Sequence, residues 1–286
     1  MSVTTERWTV MKLLQTSAQY LAEKGSPSSR LDAELLLGHT LNLPRIKLYT
    51  EFDKPVMDGE RDAYRALIKR RAAGEPVAYI LGEKEFYGRR FQVDKRVLVP
   101  RPETELIADF VRRRFAKDKP WRIADFGVGS GALAITLALE FPASTVAGIE
   151  VSPDALAVAR ENAAVLGAAN VELVEGSWVE PVQGQTFDWV VSNPPYIADG
   201  DPEVEDAVQA FEPHGALFAG KEGLDAYEVL ARDLPAVMAP GGLWVSEFGA
   251  RQQKAIGELL TRAGWRNVLF ENDLAGLPRL FAAERP

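Results

Sequence analysis

The residues best equipped for chemistry are Asn193, Pro194, Pro195 and Tyr196, which follow the apolar run Trp189-Val190-Val191-Ser192. A β-branched apolar run that stops at an amide and two prolines indicates a buried strand delivering a rigid loop at its carboxyl end. Pro194 and Pro195 lack N–H groups and have a fixed φ, so the loop offers carbonyl acceptors without competing donors. The Asn193 side-chain oxygen adds a second acceptor, and two acceptors close together suit an NH2 group. Tyr196 supplies a flat wall for a planar amide or base. Taken alone, these four residues also fit a stiff turn with no ligand, because Asn-Pro is a common turn signal.

A second candidate lies upstream, in Ile123-Ala124-Asp125-Phe126-Gly127-Val128-Gly129-Ser130-Gly131-Ala132. Its three glycines let a strand turn tightly into a helix and let the backbone approach a ligand. Spacing leaves the ligand open. Gly127-x-Gly129-x-x-Ala132 satisfies the dinucleotide fingerprint, and Glu150 stands where a ribose-binding acid belongs. The carboxylate of Asp125 favours S-adenosylmethionine instead, since that cofactor carries a sulfonium and an ammonium group and no phosphate. A tight turn without a ligand is the remaining reading.

Positioning these loops requires a sheet. From Pro102 onward, apolar strand candidates at 121–126, 144–150, 171–175, 187–192, 242–248, 266–271 and 278–284 alternate with helices. The helices fall near 103–116, 131–140, 152–167, 222–238 and 251–264. That alternation predicts a mostly parallel seven-stranded sheet covered on both faces, a Rossmann-like α/β fold over residues 102–286. Residues 1–74 form a small all-α domain: Trp8, Met11, Leu14, Ala18 and Leu21 keep helical spacing up to Gly25-Ser26-Pro27. A second helix carries Leu31, Leu35, Leu36 and Leu37, and a third runs from about Asp58 to Ala73. Residues 75–101 are the connector, with extended pieces at Pro76–Ile80, Glu85–Tyr87 and Phe91–Val93 and a turn near Gly88-Arg89.

With 47% hydrophobic and 26% charged residues in 286, the chain can bury a sizeable core and holds two domains. The amino end lacks a secretion signal, and no apolar stretch approaches the ~20 residues of a membrane span, so a cytoplasmic location is expected. The absence of cysteine excludes disulfides, thiolate metal sites and a cysteine nucleophile. His39 and His214 stand apart, so no metal site is expected. A net charge of −8 argues against nucleic acid as main partner. Residues 60–120 nevertheless hold 16 Lys and Arg against 10 Asp and Glu, either solvated helix faces or a docking face for an acidic partner.

With Asp125-x-Gly127-x-Gly129-Ser130-Gly131, Glu150 and Asn193-Pro194-Pro195-Tyr196 in this order, the chain resembles the class I methyltransferases that modify planar NH2 groups. Gly74-Glu75-Pro76-Val77-Ala78-Tyr79-Ile80-x-Gly82, Glu85-Phe86-Tyr87-Gly88, Pro100-Arg101-Pro102-Glu103-Thr104-Glu105 and Phe211-Glu212-Pro213 narrow this to a resemblance to the release-factor glutamine methyltransferases, the PrmC/HemK family. The resemblance covers essentially the whole chain. It implies transfer of a methyl group from S-adenosylmethionine to the glutamine amide in the Gly-Gly-Gln loop of class 1 peptide release factors, with the helical domain recognising that substrate. By the same resemblance Gly127, Val128, Gly129, Ser130, Gly131, Glu150 and Trp178 line the cofactor site, where Asp125, by its charge, and Asn193 are also expected. The resemblance likewise implies that Asn193, Pro194, Pro195 and Tyr196 hold the substrate, and the position of Phe91 in the connector makes it the expected residue that closes the pocket.

Two departures stand out: the usual Asp at the second-strand end is Glu150, and the acid often found before Trp178 is Ser177. A ribosomal-protein glutamine methyltransferase shares the chemistry, and an adenine-specific nucleic-acid methyltransferase shares Asn-Pro-Pro-Tyr. A cofactor-binding module without activity is the third rival.

Overall fold

The computed structural model describes residues 7–286; the first six, on which part of the secretion-signal reading rests, lie outside the described residues. Contacts divide the chain into two units. One runs to Gly82 and includes Glu205–Phe211, and the other comprises Glu83–Val204 and Glu212–Pro286.

The first unit is helical, with α1 (Val10–Glu23), α2 (Ser29–Leu41), α3 (Arg45–Thr50), α4 (Asp58–Ala72) and α5 (Val77–Leu81). The Thr9 side chain caps α1 by accepting from the Lys12 N–H, and Asn42 ends α2 with a φ of 51°. Helical spacing brings Leu14 and Leu21, Leu36 and Leu37, Leu48, Tyr64 and Ile68 into one core. Burying each such side chain contributes roughly 1.5–3 kcal/mol. The segment Val77–Leu81, expected as extended, is a short helix between Pro76 and Gly82, whose φ is 76°. A proline just before the first turn and a left-handed glycine after the last outweigh the strand preference of Val77 and Ile80.

In the second unit, β1 (Glu83–Phe86) and β2 (Arg89–Gln92) form an antiparallel hairpin closed by Tyr87 and Gly88, with φ of 50° and 70°. Positive φ at both loop positions matches the twist of paired strands, and Gly88 adopts it without a steric cost. Tyr87 is held there because its N–H donates to Glu105 Oε1 at 2.8 Å and its hydroxyl to Asp109 at 2.7 Å.

The chain continues through α6 (Glu105–Arg114), β3 (Arg122–Phe126), α7 (Ala132–Glu140), β4 (Thr145–Glu150), α8 (Pro153–Leu166), β5 (Val171–Glu175) and β6 (Phe187–Ser192). After α9 (Asp206–Phe211), which belongs to the first unit, come α10 (Asp225–Asp233), β7 (Met238–Glu247), α11 (Gln253–Arg262), β8 (Arg266–Asn272) and β9 (Pro278–Glu284). The seven-stranded sheet has the order β5-β4-β3-β6-β7-β9-β8. Strands β3 to β7 are parallel, and β9 lies antiparallel between β7 and β8. The helix expected over 222–238 ends at Asp233, because Pro235 has no N–H to continue it and the chain tightens into a 3-10 turn at Leu234–Val237.

The topology sets the site. The chain enters the sheet at its centre with β3, moves outward through β4 and β5, and returns to β6 and β7. Leu133 and Leu137 of α7 pack on one face, whereas Tyr227 and Leu230 of α10 pack on the other. The loops after β3 and β6 therefore part company at neighbouring strand ends and leave a crevice between them.

Candidate active site

A cavity of about 390 Å³ opens at that crevice, lined by Asp125 at the end of β3 and by Gly127, Val128, Gly129 and Ser130 of the loop that follows. Glu150, Trp178, Asn193 and Pro195 line it from the ends of three further strands. Gly127 and Gly129 have φ of 83° and 55°, and a Cβ on either would meet nothing within 4 Å. Their bare side faces space that a ligand can enter. Gly131, also expected to hold cofactor, is not among the residues lining the cavity and has a packing role. A Cβ there would come within 2.6 Å of Ile135 and 3.3 Å of Ala159, so its absence keeps the start of α7 close to α8.

Asp125 is 1% exposed, and its Oδ2 has no hydrogen-bond partner. Burial raises its carboxyl to about 7, Glu150 pushes in the same direction, and the Ala134 amide opposes them. A buried acid with one unpartnered oxygen at the wall of a cavity suits a cation, and S-adenosylmethionine carries two. Glu150 is fixed differently. The Gly129 N–H donates to its Oε2 at 2.8 Å and the Ser152 N–H to its Oε1 at 3.0 Å, so the longer side chain is anchored and each oxygen keeps capacity for a hydroxyl donor. Trp178 has a φ of 45°, rare for a bulky residue, and both it and Ser177 border the cavity. These carboxylate acceptors suit a cationic nucleoside.

Asn193 leaves β6 beside β7, where Ser192 pairs with Ser246. Its Nδ2 donates to Thr104 Oγ1 at 3.0 Å, and the Thr104 hydroxyl donates to Glu247 Oε2 at 2.6 Å. The Tyr196 hydroxyl donates to the other oxygen of the same carboxylate at 3.0 Å. Tyr196 is thereby turned toward Glu247, and neither it nor the buried Pro194 is among the residues lining the cavity. Burial and the Glu247 charge hold the Tyr196 hydroxyl far above its ordinary range, so it remains a donor. Phe91 is a correction: it is fully buried, edge-on to Phe86 with ring centroids 6.1 Å apart, and Phe86 is the member of the pair that borders the cavity.

Sequence reasoning missed the residues that hold these loops. Glu212 takes Arg101 at 2.6 Å and the Val99 N–H at 3.1 Å, joining Glu212-Pro213 to Pro100-Arg101-Pro102. Asn162 of α8 accepts from the Gln92 N–H at 2.7 Å and donates to the Gln92 and Ser130 carbonyls at 3.0 and 2.8 Å, linking hairpin and glycine loop. Glu212 sits in the Phe-Glu-Pro motif, which carried a signal, whereas Asn162 and Glu247 lie on elements whose apolar pattern held none. Much of the basic segment is paired internally: Arg71 with Asp32, Arg89 and Lys117 with Glu140, Arg96 with Asp94, Arg101 with Glu212, and Arg113 with Glu271. That pairing favours solvated, self-neutralised faces over a docking field. Among the described residues no helix is long and apolar enough to cross a membrane.

The family described as PrmC N-terminal domain matches residues 12–82, and the family described as methyltransferase small domain matches residues 104–233. A release factor glutamine methyltransferase of Geobacter sulfurreducens is 42% identical over 276 residues, covering 96% of each chain. Proteins of the same name from Koribacter versatilis and Vibrio cholerae are each 38% identical, the first over 97% of this chain and 99% of its own, the second over 95% of both. Among solved structures, a methyltransferase from Pyrococcus furiosus superposes with a TM-score of 0.52 at 20% identity, over 79% of this chain and 98% of its own. That likeness is one of fold: the class I methyltransferase sheet with its helical layers.

Proposed function

The chain belongs to the release factor glutamine methyltransferase family, and from that premise we propose that it methylates the side-chain amide nitrogen of the glutamine in the Gly-Gly-Gln loop of class 1 peptide release factors. The observation that carries this reading is the polarity of the Asn193 amide. Its nitrogen is engaged by Thr104, so the end left for a substrate is the acceptor Oδ1.

An amide nitrogen is a poor nucleophile because its lone pair is delocalised into the carbonyl. The side-chain oxygen of Asn193, which borders the cavity, accepts one of its N–H bonds, holds it still and stabilises positive charge as that charge develops; the Pro194 carbonyl, outside the cavity lining in the free protein, is the expected second acceptor once the substrate loop enters. No base acts before transfer, and the methylated nitrogen, then more acidic, gives its proton to solvent water afterwards. S-adenosylmethionine, when bound, supplies an electrophilic methyl group and departs as S-adenosylhomocysteine. Asp125 provides the anionic partner for its cationic end, Glu150 accepts from its ribose hydroxyls, and the bare backbone of Gly127 and Gly129 lets it approach. Tyr196 holds the Asn-Pro-Pro-Tyr loop from the Glu247 side. A release-factor substrate implies an enzyme of the cytoplasm.

Incubation with labelled S-adenosylmethionine and, separately, a class 1 release factor, ribosomal proteins and DNA tests this. Label on the release-factor glutamine alone is expected. Label on ribosomal protein or DNA, with none on the release factor, overturns the substrate and keeps the cofactor.

A further inference from the structure

Asparagine makes a reliable acceptor only if its amide cannot turn over, because its oxygen and nitrogen ends have nearly the same shape and opposite hydrogen-bonding sense. Turned by 180°, Asn193 would present N–H groups to the NH2 group it has to accept. The loop itself does not decide the matter, since its prolines have no N–H to hold the oxygen in place. The groups that decide it stand on β7 and in the turn before α6.

We propose that Thr104 and Glu247 are positioning residues that set the polarity of the Asn193 amide, a role that rests on the acceptor function given to Asn193 above. Proton count makes the case. A threonine hydroxyl has a single proton, and that of Thr104 is committed to Glu247 Oε2 at 2.6 Å. Its oxygen is left only lone pairs toward Asn193, so the group placed 3.0 Å away has to be the NH2 end. Glu247 is 1% exposed at the end of β7, with its own backbone carbonyl held by the Tyr227 hydroxyl at 2.7 Å. Its second oxygen takes the Tyr196 hydroxyl at 3.0 Å. One buried carboxylate thus determines both ends of Asn-Pro-Pro-Tyr, Asn193 through Thr104 and Tyr196 directly. Burial raises the carboxyl of Glu247, and the hydroxyls of Thr104 and Tyr196 together with Arg279 work against that rise.

Thr104→Val removes the hydroxyl at nearly constant volume, and Thr104→Ser keeps it. The valine variant is expected to lose about 10²-fold in kcat, the cost of a misplaced reacting group, with KM for the release factor and the calorimetric Kd for S-adenosylmethionine within about twofold of native. Thr104→Ser recovers most of the loss. The double variant Thr104→Val/Asn193→Ala is expected to be no slower than Asn193→Ala alone, because Thr104 acts only through Asn193. Multiplying losses, or an equal loss in the serine variant, overturn the proposal. A second readout needs no turnover: by nitrogen-15 NMR of the protein without substrate, the Asn193 side-chain NH2 is slow to exchange with solvent in the native protein and at least about tenfold faster in Thr104→Val, as expected for a donor that loses its buried acceptor. Unchanged exchange refutes the positioning role even if the substrate named above is wrong, and native protein that labels no release factor refutes the substrate while this measurement still stands.

Discussion

Replacing Asp125 with asparagine removes a buried charge that the free protein meets with the Ala134 amide but with no cation, its Oδ2 being unpartnered. The carboxyl stands at about 7 in the folded chain against an ordinary 3.8, a difference equivalent to about 4 kcal/mol, taken as an upper bound. The sign follows from proton binding. Below pH 3.8 the group is neutral in both states. Between 3.8 and about 7 the unfolded chain has lost the proton and the folded chain keeps it, so stability falls as pH rises. Above about 7 the whole cost is present. Asp125→Asn is therefore expected to melt higher than native at about pH 8, by on the order of 10 °C at roughly 2–4 °C per kcal/mol, with the advantage gone near pH 4. The same substitution removes the counter-charge for a cationic ligand. Native affinity for S-adenosylmethionine is expected to weaken nearly tenfold for each pH unit below about 7, with a proton released on binding at about pH 6. Calorimetry in buffers of different ionisation enthalpy measures both quantities. A variant no more stable than native at about pH 8, together with native affinity that is flat between about pH 6 and 7 and matched by the variant, would refute the reasoning.

Three further outcomes are expected. Asn193→Ala lowers turnover about 10²- to 10³-fold while calorimetric affinity for S-adenosylmethionine survives; native turnover at saturating cofactor would return Asn-Pro-Pro-Tyr to a simple turn. Glu150→Ala weakens the same affinity by roughly 1.5–3 kcal/mol, the worth of charged hydrogen bonds, and unchanged binding would put the ribose elsewhere. Arg101→Ala leaves the buried Glu212 carboxylate with the Val99 N–H but without its guanidinium, and denaturant unfolding is expected to show a loss of about 1–3 kcal/mol; no loss would mean that solvent at Arg101 compensates.

What the chain alone determined is what periodicity and local backbone chemistry can encode. Seven strand candidates fall within a few residues of β3 to β9, because each is an apolar run bounded by turn residues and both faces of the sheet are covered. Asp125, Gly127, Gly129, Glu150 and Asn193 stand at strand ends and meet at one cavity for the same reason. Local propensity misjudged Val77–Leu81, where flanking proline and glycine overrode β-branched residues, and it was silent on α3 and α9, each six residues long. Strand order is another matter, since the pattern of β9 says nothing about its insertion, antiparallel, between β7 and β8. Only tertiary structure decides which side chains support the reactive ones. Thr104 and Glu247 are 143 residues apart, and no local signal relates them. Thr104, Glu247 and Asn193 meet because β6 and β7 pair Ser192 with Ser246, which sets Glu247 beside Asn193 at the same sheet end, and because the turn before α6 brings Thr104 into hydrogen bonds with both. A residue type and its place on a strand can be read along the chain, but the direction of a hydrogen bond is fixed by neighbours that folding brings from elsewhere.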